Sequence, residues 1–82
     1  MGVSAFVLVD VAGNHTKSVY KTLSRIEGVK AVYNISGPHD LIVQAEAESL
    51  DSLYEHTISS IRAVDGVTKT LTCFVLHQEK PR

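Results

Sequence analysis

Two short segments carry the side chains best suited to binding a small polar molecule. The first is the turn Gly37-Pro38-His39-Asp40, which offers backbone N–H groups and a carboxylate. The second follows Gly66, where Thr70 and Thr72 project their hydroxyls to one face of a predicted strand. Backbone N–H groups bind carboxylates and Asp40 suits an ammonium group, so the two segments together predict a zwitterion site. Taken separately, the first segment is also explained as a plain hairpin turn, and the second as a threonine-rich edge strand.

The other reactive side chains do not form a pattern for catalysis or metal binding. The single cysteine, Cys73, requires a base to act as a nucleophile and lies where a small core residue is expected. No two of the four histidines are separated by one helical turn, the spacing that brings metal ligands together; they are His15, His39, His56 and His77. We therefore expect no enzyme activity, no metal site and no cofactor.

Composition excludes further classes of function. The chain has 82 residues with 8 Lys+Arg against 9 Asp+Glu, for a formal net charge of −1. A nucleic-acid-binding surface normally requires a basic excess, so we expect no direct nucleic-acid binding. No apolar run approaches the roughly 18 residues of a membrane span, and one unpaired cysteine fits a cytoplasmic protein. The length predicts a single domain over residues 1–82.

Apolar periodicity predicts four strands and two helices in the order βαββαβ. The expected strands are residues 5–11, 29–35, 41–47 and 68–77. A helix from Thr16 carries Val19, Leu23 and Ile26 on one side. A second helix starts at the N-cap Ser49, has one continuous apolar stripe and stops at Gly66.

A weak internal repeat identifies the topology. Ile26-Glu27-Gly28-Val29 recurs 38 residues later as Val64-Asp65-Gly66-Val67, and this offset places helix on helix and strand on strand. Two similar βαβ halves predict the α+β, ferredoxin-like split βαβ fold. Right-handed crossovers then give a four-stranded antiparallel sheet in the order 4-1-3-2, with both helices on one face.

The opposite face of this sheet is predicted to be apolar as well. Alternation assigns these residues to the helix side: Val7, Val9, Tyr33, Ile35, Leu41, Val43, Ala45, Leu71, Cys73 and Val75. It assigns to the other side Phe6, Leu8, Val32, Ile42, Phe74 and Leu76. An antiparallel sheet with one wet face should be polar there, and the chain has no third helix to cover it. We therefore expect a homodimer that packs sheet on sheet.

The stretch from about Phe6 to Leu76 resembles the effector-binding domain of the Lrp/AsnC family of feast/famine transcriptional regulators, also called the RAM domain. The shared signature is Gly37-Pro38-His39-Asp40-Leu41 followed, after a helix, by Gly66-Val67-Thr68-Lys69-Thr70-Leu71-Thr72. Gly28-Val29 also fits. The family often has an aromatic residue immediately before the aspartate, where this chain has His39.

The resemblance implies a function and a way of assembling. In the family, dimers form through the sheets and assemble into rings, and amino-acid effectors bind between dimers. Carried onto this chain, the implied ligand-binding positions are Gly37, Pro38, His39, Asp40, Thr70 and Thr72. Full regulators add a helix-turn-helix domain, which is absent from this sequence, so we expect a stand-alone module that binds an amino acid, oligomerises and associates with full-length regulators. Two alternatives are a purely structural assembly domain and a small enzyme of the dimeric α/β-barrel type.

Overall fold

The computed structural model describes residues 2–76, which form four strands and two helical segments in the expected order. The second helical segment has three consecutive parts, Leu50–Ser52, Leu53–Ile58 and Ser59–Arg62, which together we name α2. The other elements are β1 (Val3–Val11), α1 (Thr16–Ser24), β2 (Val29–Asn34), β3 (Leu41–Ala47) and β4 (Val67–Phe74). His77, the predicted end of the last strand, and the tail 78–82 lie outside the described residues.

The four strands form one antiparallel sheet in the order β2-β3-β1-β4, which is the predicted order counted from the other edge. The α+β, ferredoxin-like prediction is thus confirmed. β1 and β3 are central, and β2 and β4 are the edges. Each helix connects two parallel strands across one face of the sheet. β3 lies between the parallel strands β1 and β2, and β1 lies between the parallel strands β3 and β4, so all directly paired strands are antiparallel.

The repeat predicted from the sequence is also a structural repeat. Gly28 and Gly66 follow the two helices with φ angles of +95° and +102°, a region that favours glycine. In both turns the residue after glycine donates its N–H to the carbonyl two residues before the glycine, from Val29 to Ile26 and from Val67 to Val64, at 3.1 Å in each case. Both βαβ halves therefore enter their second strand through the same turn.

The second helix departs from the regular α-helix that its apolar stripe predicts. Ser49 caps its start as expected, accepting the Ser52 N–H at 3.1 Å. The central part, Leu53–Ile58, is π-helical, so its turns hold more residues than an α turn. Within it Thr57 is buried, and its hydroxyl donates to the carbonyl of Glu27 at 2.9 Å. This bond ties the helix to the turn before β2.

The core lies between the helices and the inner face of β1 and β3. Leu23 of α1 and Leu53, Ile58 and Ile61 of α2 are fully or almost fully buried against this face. The buried strand residues include those predicted for the central strands, namely Val7, Val9, Leu41, Val43 and Ala45, together with Ala5. The prediction is correct for the two central strands because their covered positions alternate without interruption.

The face assignment of the two edge strands is wrong, and for the same reason in both. Lys30 of β2 and Thr68 of β4 have no directly opposite partner, since the register shifts at each of these positions. One extra residue moves every later side chain to the other face. Val32 and Phe74 therefore pack on the core, whereas Tyr33, Leu71 and Cys73 lie on the open face. Ile35, Val75 and Leu76 follow the strand ends, where the register assigns no face.

The corrected register leaves an apolar row across the whole open face. Tyr33, Ile42, Leu8 and Leu71 are opposite one another in β2, β3, β1 and β4. Leu71 is 49% exposed and Tyr33 is 51% exposed. Phe6 adds a further exposed aromatic ring beside the row. An apolar open face was correctly predicted, although three of its members, Tyr33, Leu71 and Cys73, were assigned to the helix side.

Candidate functional site

The turn between β2 and β3 projects its first two residues into solvent. Gly37 and Pro38 are exposed, and Gly37 has a φ of +146° with no atom near the position that a side chain would occupy. The hairpin is closed by the Ile35 N–H, which donates to the Asp40 carbonyl at 3.0 Å. Gly37 and Pro38 therefore lie open to solvent, and the binding of a ligand carboxylate by backbone N–H groups of this turn stays a prediction.

Asp40 is held against the end of the neighbouring central strand. Its backbone N–H donates to the carbonyl of Val9 at 3.1 Å, and its Oδ2 accepts the N–H of Val11 at 2.8 Å. The side chain takes the place of a strand residue and caps β1, not the backbone of its own turn. A carboxylate accepts about four hydrogen bonds, so this single bond leaves capacity for a ligand ammonium group.

His39 is paired with a residue that the sequence did not single out for the site. Its Nδ1 lies 2.9 Å from Oδ1 of Asp10 in β1, and the two side chains are 22% and 27% exposed. The only sequence signal for Asp10 is its position, a carboxylate inside an otherwise apolar strand. A lone carboxylate in a strand suggests that it has a hydrogen-bonding partner, but the sequence does not identify that partner as His39.

The two threonines lie on the other side of β1 from the turn. Thr70 is directly opposite Val9, and Thr72 is directly opposite Val7, so both face the helix side of the sheet at its β4 edge. That the two threonines share a face is as predicted, but the register shift places them on the helix side, not on the side that the uninterrupted alternation assigns them. Thr68, which the sequence did not single out for the site, donates its hydroxyl to the Asp10 carbonyl at 3.2 Å.

Part of the predicted site converges on one short segment of β1. His39, Asp40 and Thr70 all neighbour residues 9–11, with the turn on one side and β4 on the other. Adjacent strands are about 4.8 Å apart, so the turn and Thr70 are separated by roughly 10 Å. Thr72 lies two residues further along the sheet, away from the turn. Within one subunit the predicted residues surround β1 without enclosing a pocket between them.

A shallow cleft beside Thr70 has a positive lining. It measures about 330 Å³ and is lined by Arg62, Val67, Thr68, Lys69 and Thr70. Both of its charged residues are cationic, so the cleft is suited to an anionic group. Across residues 2–76 no group of three or more His, Cys, Asp or Glu side chains is close enough to hold a metal ion. No helix within that range is long and apolar enough to cross a membrane.

The sequence of the chain matches a known protein family. A family model described as the Lrp/AsnC ligand-binding domain matches residues 4–82. The chain belongs to this family. The resemblance seen in the sequence is confirmed, and residues 4–82 match an Lrp/AsnC-type ligand-binding (RAM) domain.

Several solved structures share its fold. Escherichia coli AsnC superposes with a TM-score of 0.88 at 22% identity, covering 98% of this chain and 54% of AsnC. The protein TTHA0845 of Thermus thermophilus gives a TM-score of 0.86 at 26% identity, covering 98% of this chain and 99% of that protein. The Neisseria meningitidis regulator NMB0573, solved with L-Met, gives 0.82 at 17% identity, covering 96% of this chain and 53% of the regulator.

Among curated proteins, the chain is similar to one part of a larger enzyme. It is 43% identical over 77 residues to homocitrate synthase of Sulfurisphaera tokodaii, a match that covers 93% of this chain. The chain spans only 16% of the length of that enzyme. The match therefore does not support an enzyme activity for the RAM domain.

Proposed function

We propose that residues 1–82 act as one RAM domain that binds an amino acid, oligomerises and regulates a partner protein. The observation that carries the proposal is the turn 37–40, which the Asp40 carboxylate anchors to β1 at the level of Thr70. A turn of this kind presents backbone N–H groups and acceptor side chains together, in a chain whose family is defined by ligand binding. The Neisseria regulator solved with L-Met supports an amino acid as the class of ligand.

In the proposed site, different groups of the turn bind the carboxylate and the ammonium ends of the amino acid. Backbone N–H groups of Gly37 and His39 bind the carboxylate of the amino acid, since Pro38 has no N–H to offer. Asp40 accepts from the ammonium group through the oxygen capacity that Val11 leaves unused. Thr70 and Thr72, on the far side of β1, are too distant from the turn to bind the same small molecule within one subunit. A second copy of the chain is therefore proposed to complete the site.

The proposed assembly begins with a homodimer that buries the open sheet face. The exposed row formed by Tyr33, Ile42, Leu8 and Leu71, with Phe6 beside it, is unlike the polar surface of a one-sided sheet. Burying a large apolar side chain is worth about 1.5–3 kcal/mol, which favours covering the face with an identical face. Dimers then assemble into rings, bringing the turn of one subunit to the β4 edge of another.

The partners of this module are proposed to be proteins. Full-length family regulators carry a domain of the same fold, so mixed assembly through the sheet face is available to both. The net charge of −1 argues against direct contact with nucleic acid, and we propose a cytoplasmic location.

A second candidate is a domain that regulates an enzyme instead of a DNA-binding regulator. The 43% identity to a segment of homocitrate synthase exceeds the 22% identity to AsnC. The ligand site and sheet face would be the same in both cases, and only the regulated partner would differ. Adding the chain and an amino acid to the homocitrate synthase of Sulfurisphaera tokodaii distinguishes the two, because a change in the activity of that enzyme supports the second candidate.

Two further alternatives differ in what the structure offers them. A small dimeric α/β-barrel enzyme would need a polar cavity between sheet and helices, whereas among the described residues the buried cluster at that interface is apolar apart from Thr57. A purely structural domain is consistent with Asp40 as a strand cap. It predicts that no amino acid binds.

Calorimetry of the whole chain against each of the twenty amino acids tests the proposal. We expect one amino acid, or one chemical group of them, to bind at or below millimolar concentration. Asp40→Asn is the sharpest variant, because its amide oxygen still accepts the Val11 N–H while its negative charge is lost. It should weaken binding without unfolding the chain, and Asp65→Asn, in the exposed turn after α2, is the matched control. Absence of binding to all twenty would contradict the proposal.

A further inference from the structure

We propose that Asp10 is a positioning residue for the ligand site, fixing His39 in the tautomer that presents a hydrogen-bond acceptor to the ligand's ammonium group. This inference rests on the proposed function. It gives the turn a second acceptor beside Asp40, and it assigns a role to a β1 carboxylate that the sequence pattern leaves without one.

The geometry at Asp10 is that of a defined contact between two elements. Oδ1 of Asp10 and Nδ1 of His39 are 2.9 Å apart, a normal charge-assisted hydrogen-bond length. Both side chains are about three-quarters shielded from solvent, so the contact is more than a loose surface pair. The carboxylate belongs to a central strand of the sheet, which is a rigid support, and the imidazole belongs to the turn.

The chemistry of the pair fixes the position of the ring proton. An ionised carboxylate can only accept a hydrogen bond, so Nδ1 of His39 must be the donor. In a neutral imidazole the proton then lies on Nδ1, and Nε2 keeps its lone pair. Nε2 is thereby an acceptor, suited to an ammonium N–H and unsuited to a carboxylate. The side chains of the turn are in this way selective for the amino end of a zwitterion.

Asp10 also connects the two segments that the sequence predicts for the site. Its carboxylate holds His39 of the turn, and its carbonyl accepts the hydroxyl of Thr68 where β4 shifts register. Lys69 is directly opposite Asp10 across β1 and β4, and Asp40 caps the same strand one residue further on. The charged groups around the pair are thus one cation from β4 and one carboxylate from the turn.

An isosteric variant removes the acceptor-only character of this contact. In Asp10→Asn the side chain can donate to Nδ1 through its NH2 group as well as accept through its oxygen, so it no longer excludes the tautomer protonated at Nε2. We expect ¹⁵N NMR of the full chain at about pH 9, where imidazole is ordinarily neutral, to show His39 protonated at Nδ1. The variant should show a population protonated at Nε2 that the unaltered chain lacks. Glu55→Gln, a charge-matched change on the exposed side of α2, should leave His39 unchanged.

Calorimetry with the amino acid that binds the unaltered chain supplies the second measurement. Loss of one hydrogen bond to a charged group predicts about tenfold weaker binding by Asp10→Asn, and unchanged binding by Glu55→Gln. An Nε2-protonated His39 in the unaltered chain, or full affinity in Asp10→Asn, would overturn the inference. If the NMR result is as expected but no amino acid binds, the proposed function fails and the ligand role of His39 fails with it, while the Asp10–His39 contact stands.

Discussion

Two neighbouring rows of side chains cross all four strands and face opposite sides of the sheet. The covered row is Val32, Val43, Val7 and Thr72, and the open row is Tyr33, Ile42, Leu8 and Leu71. Val7 and Val43 are 0% exposed beneath the helices, whereas Leu71 and Tyr33 are about half exposed. The open row is the more apolar of the two, because the covered row ends in a threonine. Residue type alone therefore does not distinguish the core of this subunit from its surface.

The difference between the rows is what covers them. The covered row has two helices of its own chain, and the open row has none among the described residues. Large exposed apolar patches on small proteins mark interaction surfaces. We therefore interpret the open row as a second core that forms only between subunits. Each of the following changes tests that distinction, beginning with the largest expected effect.

Replacing Val7 with aspartate should abolish folding. The side chain is completely buried in the covered row, and an unpaired charge there costs several kcal/mol, comparable to the whole stability of a small domain. Far-ultraviolet circular dichroism should show loss of helix at every protein concentration. A folded Val7→Asp chain would show that the covered row is not the core.

The same substitution one residue later should have a different result. Leu8→Asp places the charge on the open face, where it should disrupt the proposed sheet-to-sheet interface but no contact with the helices. We expect the chain to retain its helical signal while its mass in light scattering falls to that of a monomer. An oligomer of unchanged mass would contradict the role assigned to the open row.

A matched pair in β2 tests the corrected register at the edge of the sheet. Val32→Ser should lower the free energy of unfolding by about 1–2 kcal/mol at a concentration where the oligomer is intact, since Val32 packs on the core. Tyr33→Ser should instead weaken the oligomer, shifting dissociation to higher protein concentration. Urea unfolding and dilution experiments on both variants provide the measurement. If Tyr33→Ser lowered the stability of the subunit and Val32→Ser weakened the oligomer, Tyr33 would face the core, as the sequence pattern without a register shift predicts.

The smallest effect is expected at the edge of the covered row. Thr72→Val replaces a partly shielded hydroxyl with a methyl group, which should change the free energy of unfolding by no more than about 0.5 kcal/mol. Of the two threonines that a second copy is proposed to supply, Thr70 lines the cationic cleft and Thr72 does not, so ligand affinity should fall less in Thr72→Val than in Thr70→Val. Calorimetry on the two variants measures the difference. Equal losses would show that both hydroxyls contact the ligand.

How far the sequence predicts this fold depends on the strand. Uninterrupted alternation in β1 and β3 gives the covered residues correctly, and the glycine repeat gives the topology. In β2 and β4 the register shifts at Lys30 and Thr68, each two residues after the glycine of its repeat. Because both faces are apolar, no misplaced polar residue signals the shift.

The candidate site was predictable in its motifs but not in its contacts. The turn and the threonines are readable from residue types, since glycine, aspartate and threonine have defined backbone and hydrogen-bonding preferences. The Asp10–His39 contact joins residues 29 positions apart in sequence. It depends on the pairing of β1 with β3, and a single sequence contains no direct signal for that pairing.

Sedimentation of the full, unaltered chain across micromolar concentrations tests the role of the open row most directly. We predict a dimer or a larger assembly built from dimers, with no folded monomer at these concentrations, because the proposed homodimer buries the apolar open row. A stable monomer with native circular dichroism at micromolar concentration would contradict this prediction.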